Sequence, residues 1–63
     1  MDGKIIIYST DIHRDAGKAK LGVMAAADAL DVKVDLRLSS AWMIYIDKRD
    51  RAAFLELARE EAK

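Results

Sequence analysis

The densest group of ionisable side chains in this chain is the segment Asp11-Ile12-His13-Arg14-Asp15. A histidine with two carboxylates can bind a divalent metal ion, and an imidazole can act as a general base. In a helix, however, Asp11 and Asp15 share one face while His13 points away from it. Acidic residues in a first helical turn also interact favourably with the helix dipole. We therefore predict that this segment holds neither a metal ion nor a catalytic residue.

Gly17-Lys18 follows a strand and a loop, which is the setting of a phosphate-binding loop. That motif needs a glycine five residues earlier and a Ser or Thr after the lysine, but Ile12 and Ala19 occupy these positions. The chain contains no cysteine, which excludes disulfides, thiolate metal sites and cysteine nucleophiles. We predict no enzyme, no cofactor and no metal site, and only a weak attraction of anions to the amides near residues 9–13.

Two tyrosines, Tyr8 and Tyr45, accompany Lys4, Lys33 and Arg37 on strand-like segments. Aromatic rings beside cations can stack on the bases of single-stranded nucleic acid. An RNA-recognition motif would add a basic-aromatic signature on its central strands, which is absent here. The 11 basic and 11 acidic residues also balance, with a pI near 6.5. Binding of single-stranded nucleic acid or anions is therefore kept as the alternative function. We prefer the hypothesis that these tyrosines belong to an apolar patch that a protein partner covers.

Five segments have the patterns of strands and helices. Lys4–Tyr8 is β-branched and almost wholly apolar, Val32–Leu38 alternates between apolar and charged residues, and Trp42–Ile46 is apolar on both faces. Helical spacing of apolar residues extends from about Asp11 to Leu30 and from about Arg49 to Ala62. Within the first helix, a stripe of small residues could allow close approach of another element, and Leu21 should be exposed. The stripe comprises Gly22, Ala26 and Ala29.

The hairpin between the second and third strands should have a three-residue loop, Ser39–Ala41, because this places apolar side chains opposite one another. A two-residue loop would put Ile44 beside Asp35. The expected pairs are Leu38 with Trp42, Leu36 with Ile44 and Val34 with Ile46.

These elements predict an α+β fold with the order βαββα and one domain over residues 1–63. The alternating second strand is typical of an edge, and the apolar third strand is typical of a central position. We therefore expect a three-stranded sheet in the order 1-3-2 with two helices on one face. This is a ferredoxin-like split βαβ unit that lacks its last strand. The order 1-2-3 would bury the charged strand, and is the second choice. The expected core comprises Ile5, Ile7, Ile12, Val23, Leu30, Val34, Leu36, Trp42, Ile44, Ile46, Phe54 and Leu55.

The opening segment, residues 4–10 followed by Lys18-Ala19-Lys20, resembles the first strand and helix of glutaredoxins. In that family a Cys-x-x-Cys pair lies between the two pieces. Its cysteines fall on His13 and Ala16 of this chain. Because neither position is a cysteine, the redox activity of that family is not expected in this chain.

Composition sets further bounds. Cys, Pro, Asn and Gln are all absent and alanine occurs 11 times, which favours an artificial sequence or a genome of biased composition. No apolar run has the length of a membrane span and no signal-peptide pattern is present, so we expect a cytoplasmic protein without a membrane partner.

The predicted order leaves the apolar first strand as an unprotected edge, and one face of the sheet without helices. We therefore predict a homodimer, formed through the edge of the first strand or through the open sheet face. The function that follows is a non-enzymatic α/β scaffold or self-association module, of natural or de novo designed origin. The residues expected in its interface are Ile6, Tyr8, Met43 and Tyr45.

Overall fold

The computed structural model describes residues 3–63, which form a three-stranded antiparallel sheet with helices. The strands are β1 (Ile5–Tyr8), β2 (Lys33–Asp35) and β3 (Ala41–Tyr45), in the order β1-β3-β2. Both β1 and β2 pair antiparallel with β3. The predicted α+β fold and the strand order 1-3-2 are thus confirmed.

The helices are α1 (Ser9–Ile12), α2 (Ala16–Leu30) and α3 (Arg51–Glu61), and a 3-10 turn, Lys48–Asp50, leads into α3. The prediction of one helix from Asp11 to Leu30 is wrong, because the chain leaves the helical conformation between α1 and α2. None of the helices in residues 3–63 combines the length and the apolar character needed to cross a membrane.

The break between α1 and α2 results from local bonds to side chains. His13 is extended, with φ −158° and ψ 150°. The Oδ1 atom of Asp15 accepts hydrogen bonds from the amides of Gly17 at 2.9 Å and Lys18 at 3.2 Å. A short acidic side chain that bonds nearby amides competes with helix continuation and favours the N-cap position. Asp15 therefore begins a new helix.

The helix ends also follow local chemistry. Asp31 adopts the left-handed conformation, with φ 54°, directly after Leu30, and forms the turn that ends α2. At the start of the last helical segment, Asp47 accepts a hydrogen bond from the amide of Arg49 at 3.0 Å. Asp47 therefore caps this segment, whereas Asp50 makes no capping bond with its side chain.

The predicted hairpin register is wrong by two residues. Val34, not Leu36, lies opposite Ile44, and residues 36–40 form the connection in place of Ser39–Ala41. The indole Nε1 of Trp42 donates to the carbonyl of Leu38 at 2.8 Å, which fixes Leu38 in the loop. Because a shift of two residues preserves the faces of a strand, the predicted sides remain correct.

The core lies between the sheet and the helices, with Trp42, Phe54, Ile7, Ile44 and Val23 as its largest fully buried side chains. Nine predicted core residues are buried: Ile5, Ile7, Ile12, Val23, Trp42, Ile44, Ile46, Phe54 and Leu55. Three are not. Val34 and Leu36 are half-buried, because β2 is an edge that the helices cover only in part. Leu30 is 43% exposed because it lies in the last turn of α2, beside the exposed turn at Asp31.

Helices α2 and α3 approach each other closely at Gly22. A Cβ atom there would overlap the carbonyl oxygen of Ala58 and would lie 2.8 Å from the Cβ of Ala62. The small-residue stripe is confirmed at Gly22 and Ala26, which are buried, but Ala29 is exposed.

Candidate self-association surface

The sheet face opposite the helices is here called the open face. Along β1 the alternation is complete, because Ile5 and Ile7 are buried while Ile6 is 54% and Tyr8 is 57% exposed. On β3, Tyr45 is 47% exposed. The predicted interface residues therefore lie on one face, and all but Met43, which is half-buried, are classed as exposed.

Strand register arranges the open face in rows across the sheet. The middle row is Ile6, Met43 and Asp35. Tyr45 lies opposite Lys33 in the row on one side, and Tyr8 lies opposite Ala41 in the row on the other. The apolar side chains thus occupy β1 and β3, and the charges lie on β2.

An ion pair neutralises part of that charge. The Nη2 atom of Arg37 lies 2.7 Å from Oδ2 of Asp35, and Nε of Arg37 also donates to both carboxylate oxygens at 3.0 and 3.1 Å. These side-chain bonds, with a further bond from the Arg37 amide, lower the pKa of Asp35. Asp35 therefore stays ionised near neutral pH, and its ion pair with the largely exposed Arg37 side chain lies at the open face.

A groove of about 280 Å³ lies at the end of the open face nearest the 36–40 connection. Its walls are Ile6, Asp35, Arg37, Leu38, Ala41, Trp42 and Met43. The lining is mainly apolar, and Leu38 is 68% exposed, the largest exposure among the big apolar side chains described. This groove is the part of the surface that the sequence did not indicate, because alternation placed Leu38 on the helix-covered side of the second strand, paired with Trp42.

The free edge of β1 is shorter than the sequence suggests. The amide of Ser9 donates to the carbonyl of Ser40 at 2.8 Å, which continues the pairing of β1 with β3. Backbone groups in an antiparallel pair alternate in direction, so those of Ile6 and Tyr8 point to the free edge. The amide of Tyr8, however, donates to Oδ2 of Asp11 at 3.0 Å. Ile6 is thus the residue of β1 that presents both its N–H and its C=O to the edge.

The acidic cluster around His13 is occupied by structural bonds. Asp11 accepts from Tyr8, Asp15 caps α2, and Nδ1 of His13 accepts from the amide of Asp15 at 2.9 Å. The bonds from Lys18 and Gly17 lower the pKa of Asp15. Over residues 3–63, no group of three or more His, Cys, Asp or Glu side chains is placed to hold a metal ion.

Trp42 and Arg59 make contacts in the core and between helices. Trp42 is 2% exposed, which confirms the prediction that it anchors the core. Nε of Arg59 donates to the carbonyl of Asp11 at 2.7 Å, and so joins α3 to the end of α1. Helical periodicity carried no signal for this bond, since it joins residues that lie far apart in the sequence.

No protein-family model, curated protein or solved structure shows a significant match to this chain.

Proposed function

We propose that this chain is a non-enzymatic α/β self-association module, which pairs with a second copy of itself through the open face. The observation that carries the proposal is the cluster of Ile6, Tyr8 and Tyr45 around Met43, three of them about half exposed on one side of a small sheet. Contiguous exposed apolar patches of this kind mark interaction sites in small domains. The absence of Cys, Pro, Asn and Gln supports an artificial origin, in which case association follows from surface patterning.

The open face is a better interface than the edge of β1. Strand addition at an edge depends on a continuous row of free backbone donors and acceptors. Here the Tyr8 amide already donates to Asp11. If two copies of β1 paired antiparallel, the Tyr8 amide of each copy would therefore not be free to bond the other strand. The side chains of Ile6 and Tyr45, in contrast, are exposed and project from the face itself.

The size of the open face limits the surface that pairing can bury. Strands of four and five residues in a three-stranded sheet span roughly 14–17 Å in each direction. The face therefore has an area on the order of 240 Å², which is smaller than the surface of about 800 Å² per partner that specific protein interfaces bury. We therefore expect a reversible dimer with a dissociation constant in the micromolar range or weaker.

The test is sedimentation equilibrium from micromolar to millimolar concentrations, on the parent chain and on two charge variants. Ile6→Lys places a cation in the middle row and should give a monomer. Leu21→Lys is the matched control, since Leu21 is 65% exposed on α2 and lies away from the sheet. The control should dimerise as the parent chain does. A parent chain that remains monomeric at millimolar concentration would refute self-association.

A second candidate is a module that binds single-stranded nucleic acid on the same face. It is favoured by Tyr45, an exposed ring directly across the strands from Lys33. Bases stack on such rings, and nearby cations contact phosphates. Titration with a mixed-sequence single-stranded RNA at two salt concentrations tests it. Binding that weakens with salt and is lost in Tyr45→Ala would support this candidate, and no binding at low salt would exclude it.

A further inference from the structure

We propose that the row of Lys4, Tyr45 and Lys33, at the end of the open face away from the groove, binds one internal nucleotide of a single strand. The base stacks on Tyr45, and the phosphates on its two sides each contact one lysine. The inference rests on the second candidate function and gives it a defined site and strand path. It does not require the chain to self-associate.

Lys4 precedes β1, but the structure places it in register with β3. A Cβ atom on Gly3 would lie 2.7 Å from the carbonyl oxygen of Ile46 and 2.7 Å from the Cα of Asp47, so the backbone of Gly3 runs directly against these two residues. The antiparallel register of β1 with β3 therefore continues as far as Gly3. This register sets Lys4 opposite Tyr45.

The other neighbour of Tyr45 is Lys33 on β2, its direct partner across the strands. Ile44 and Ile46, on either side of Tyr45 along the chain, are buried, so the Tyr45 ring projects from the open face and is 47% exposed. Lys4 and Lys33 are exposed as well. Paired side chains on one face of a sheet have Cβ atoms about 4.5–5.5 Å apart. Each lysine can therefore pack its stem along the ring and keep its ammonium group in solvent.

The charges around this row favour an anion. The row itself consists of two cations and one neutral ring. The acids two residues away along β2 and β3 are Asp35 and Asp47, and each is already paired with an arginine, at 2.7 and 3.8 Å. Asp31 lies outside β2, in the turn that ends α2. Lys4 and Lys33 are two strand spacings apart, roughly 10 Å, so salt screens their repulsion only in part. An anionic ligand between them relieves it.

An aromatic ring between two cations matches the chemistry of an internal nucleotide. Bases of any sequence stack on tyrosine rings, and nearby cations contact the phosphates. Each internal nucleotide has one phosphate on its 5′ side and another on its 3′ side. Both lysines are therefore used only when the single strand runs along the row, across the strands of the sheet. One nucleotide covers this row, so the small area of the open face is sufficient.

A series of thymine ligands tests the site by heteronuclear NMR, at a protein concentration at which sedimentation equilibrium shows a monomer. Thymidine, its 5′-monophosphate and its 3′,5′-bisphosphate supply no, one and two phosphates. The affinity should rise at both steps, with amide shifts centred on Lys4, Lys33 and Tyr45. Tetradeoxythymidylate should bind at least as tightly as the bisphosphate. Tighter binding of the bisphosphate would overturn the single strand as the ligand.

Three variants and a matched control separate the roles of the side chains. Tyr45→Ala should weaken tetradeoxythymidylate binding by about fivefold or more, because stacking is lost, and should leave its salt dependence unchanged. Lys4→Gln and Lys33→Gln should each reduce the slope of log K against log salt concentration, by up to about 0.7 in magnitude. Tyr8→Ala is the control and should bind as the parent chain does. Tyr8 is 57% exposed on the same face, but it lies opposite Ala41.

Circular dichroism confirms that each variant is folded. Equal losses in Tyr8→Ala and Tyr45→Ala, or equal affinities for the monophosphate and the bisphosphate, would show that the proposed site is wrong while single-strand binding elsewhere on the chain stands. No amide shift with any of the four ligands at millimolar concentration would refute both this site and the second candidate function. Self-association is decided separately, by sedimentation of the parent chain without ligand.

Discussion

At the scale of single residues, short acidic side chains determine where helices begin and strands stop. Asp15 and Asp47 accept amides at the starts of helical segments, and Asp11 accepts the amide of Tyr8. Each satisfies a backbone donor that would otherwise lack a partner at the end of an element. The surplus of Asp over Glu in this chain is therefore explained in part by local backbone bonding.

Asp15→Ala should lower the melting temperature at neutral pH, because α2 loses its N-cap. The cap also predicts a pH dependence. The pKa of Asp15 is lowered from its ordinary value of 3.8 by bonds from Lys18 and Gly17, so its stabilising effect is present above that value. The effect is lost as the pH falls through the lower pKa of the folded state.

Thermal denaturation of Asp15→Ala and the parent chain from neutral pH to below pH 3.8 measures this. The two melting curves should converge in acid. Asp28→Ala is the control, since an exposed acid near the end of α2 opposes the helix dipole, and its loss should not lower the melting temperature. A difference for Asp15→Ala that is unchanged in acid would contradict the capping role.

At the scale of elements, the close contact of α2 with α3 depends on the missing side chain at Gly22. Backbone approaches this short leave no room for a methyl group, and overpacking forces both helices apart. Ala58 and Ala62 complete the contact from the side of α3. The contact also explains why a glycine is tolerated in the middle of α2, where it would otherwise lower helix stability.

Gly22→Ala should destabilise the fold by about 1–3 kcal/mol in urea denaturation, in spite of the higher helix propensity of alanine. Gly17→Ala is the matched control in the same helix, because a Cβ there would meet a single side-chain atom, Oδ1 of Asp15 at 3.2 Å, and no backbone atom. That variant should remain within about 1 kcal/mol of the parent chain. Equal stability of the two variants would show that α2 and α3 can separate at no cost.

Element types and strand order could be predicted because both follow from local alternation and from which strand carries charges. The register could not be predicted, since shifts by two residues leave the same faces apolar. The observed register is accompanied by a bond from the Trp42 indole to the Leu38 carbonyl, which alternation does not reveal. The break between α1 and α2 could not be predicted from the sequence, because Ile12 and Ala19 continue the helical spacing of apolar residues across it. The candidate site was also predictable only in part. Its four predicted residues follow from the alternation of the strands, but its groove could not be predicted, because it is lined by Leu38, which lies in the connection and not in β2.

At the scale of the whole molecule, one layer of helices covers one face of the sheet, and a single core holds both layers together. Few large side chains are fully buried, and Ile44 lies among them in the central strand, opposite both Ile5 and Val34. A domain of this size, with no disulfide to support it, rarely has a net stability above about 3–5 kcal/mol. Each buried side chain of β3 therefore accounts for a large share of it.

Ile44→Ala should cost about 3 kcal/mol or more, because it leaves a cavity that the surrounding strands cannot fill. Much of the variant population should then be unfolded at room temperature, which circular dichroism and urea denaturation measure. Leu21→Ala, at a position that is 65% exposed, is the control and should change stability by less than about 1 kcal/mol. A loss below about 1 kcal/mol for Ile44→Ala would be incompatible with a central β3.

The strand order also has a consequence for synthesis of the chain. The central strand is the last of the three along the sequence, so β1, which ends at Tyr8, has no partner until β3 has been made up to Tyr45. At about 5–20 residues per second, that interval lasts on the order of 2–7 seconds. Until then the almost wholly apolar segment Ile5–Tyr8 has no strand of its own chain to pair with. The sheet therefore cannot be built one strand at a time in the order of synthesis, and both flanking strands join it only when the central strand exists.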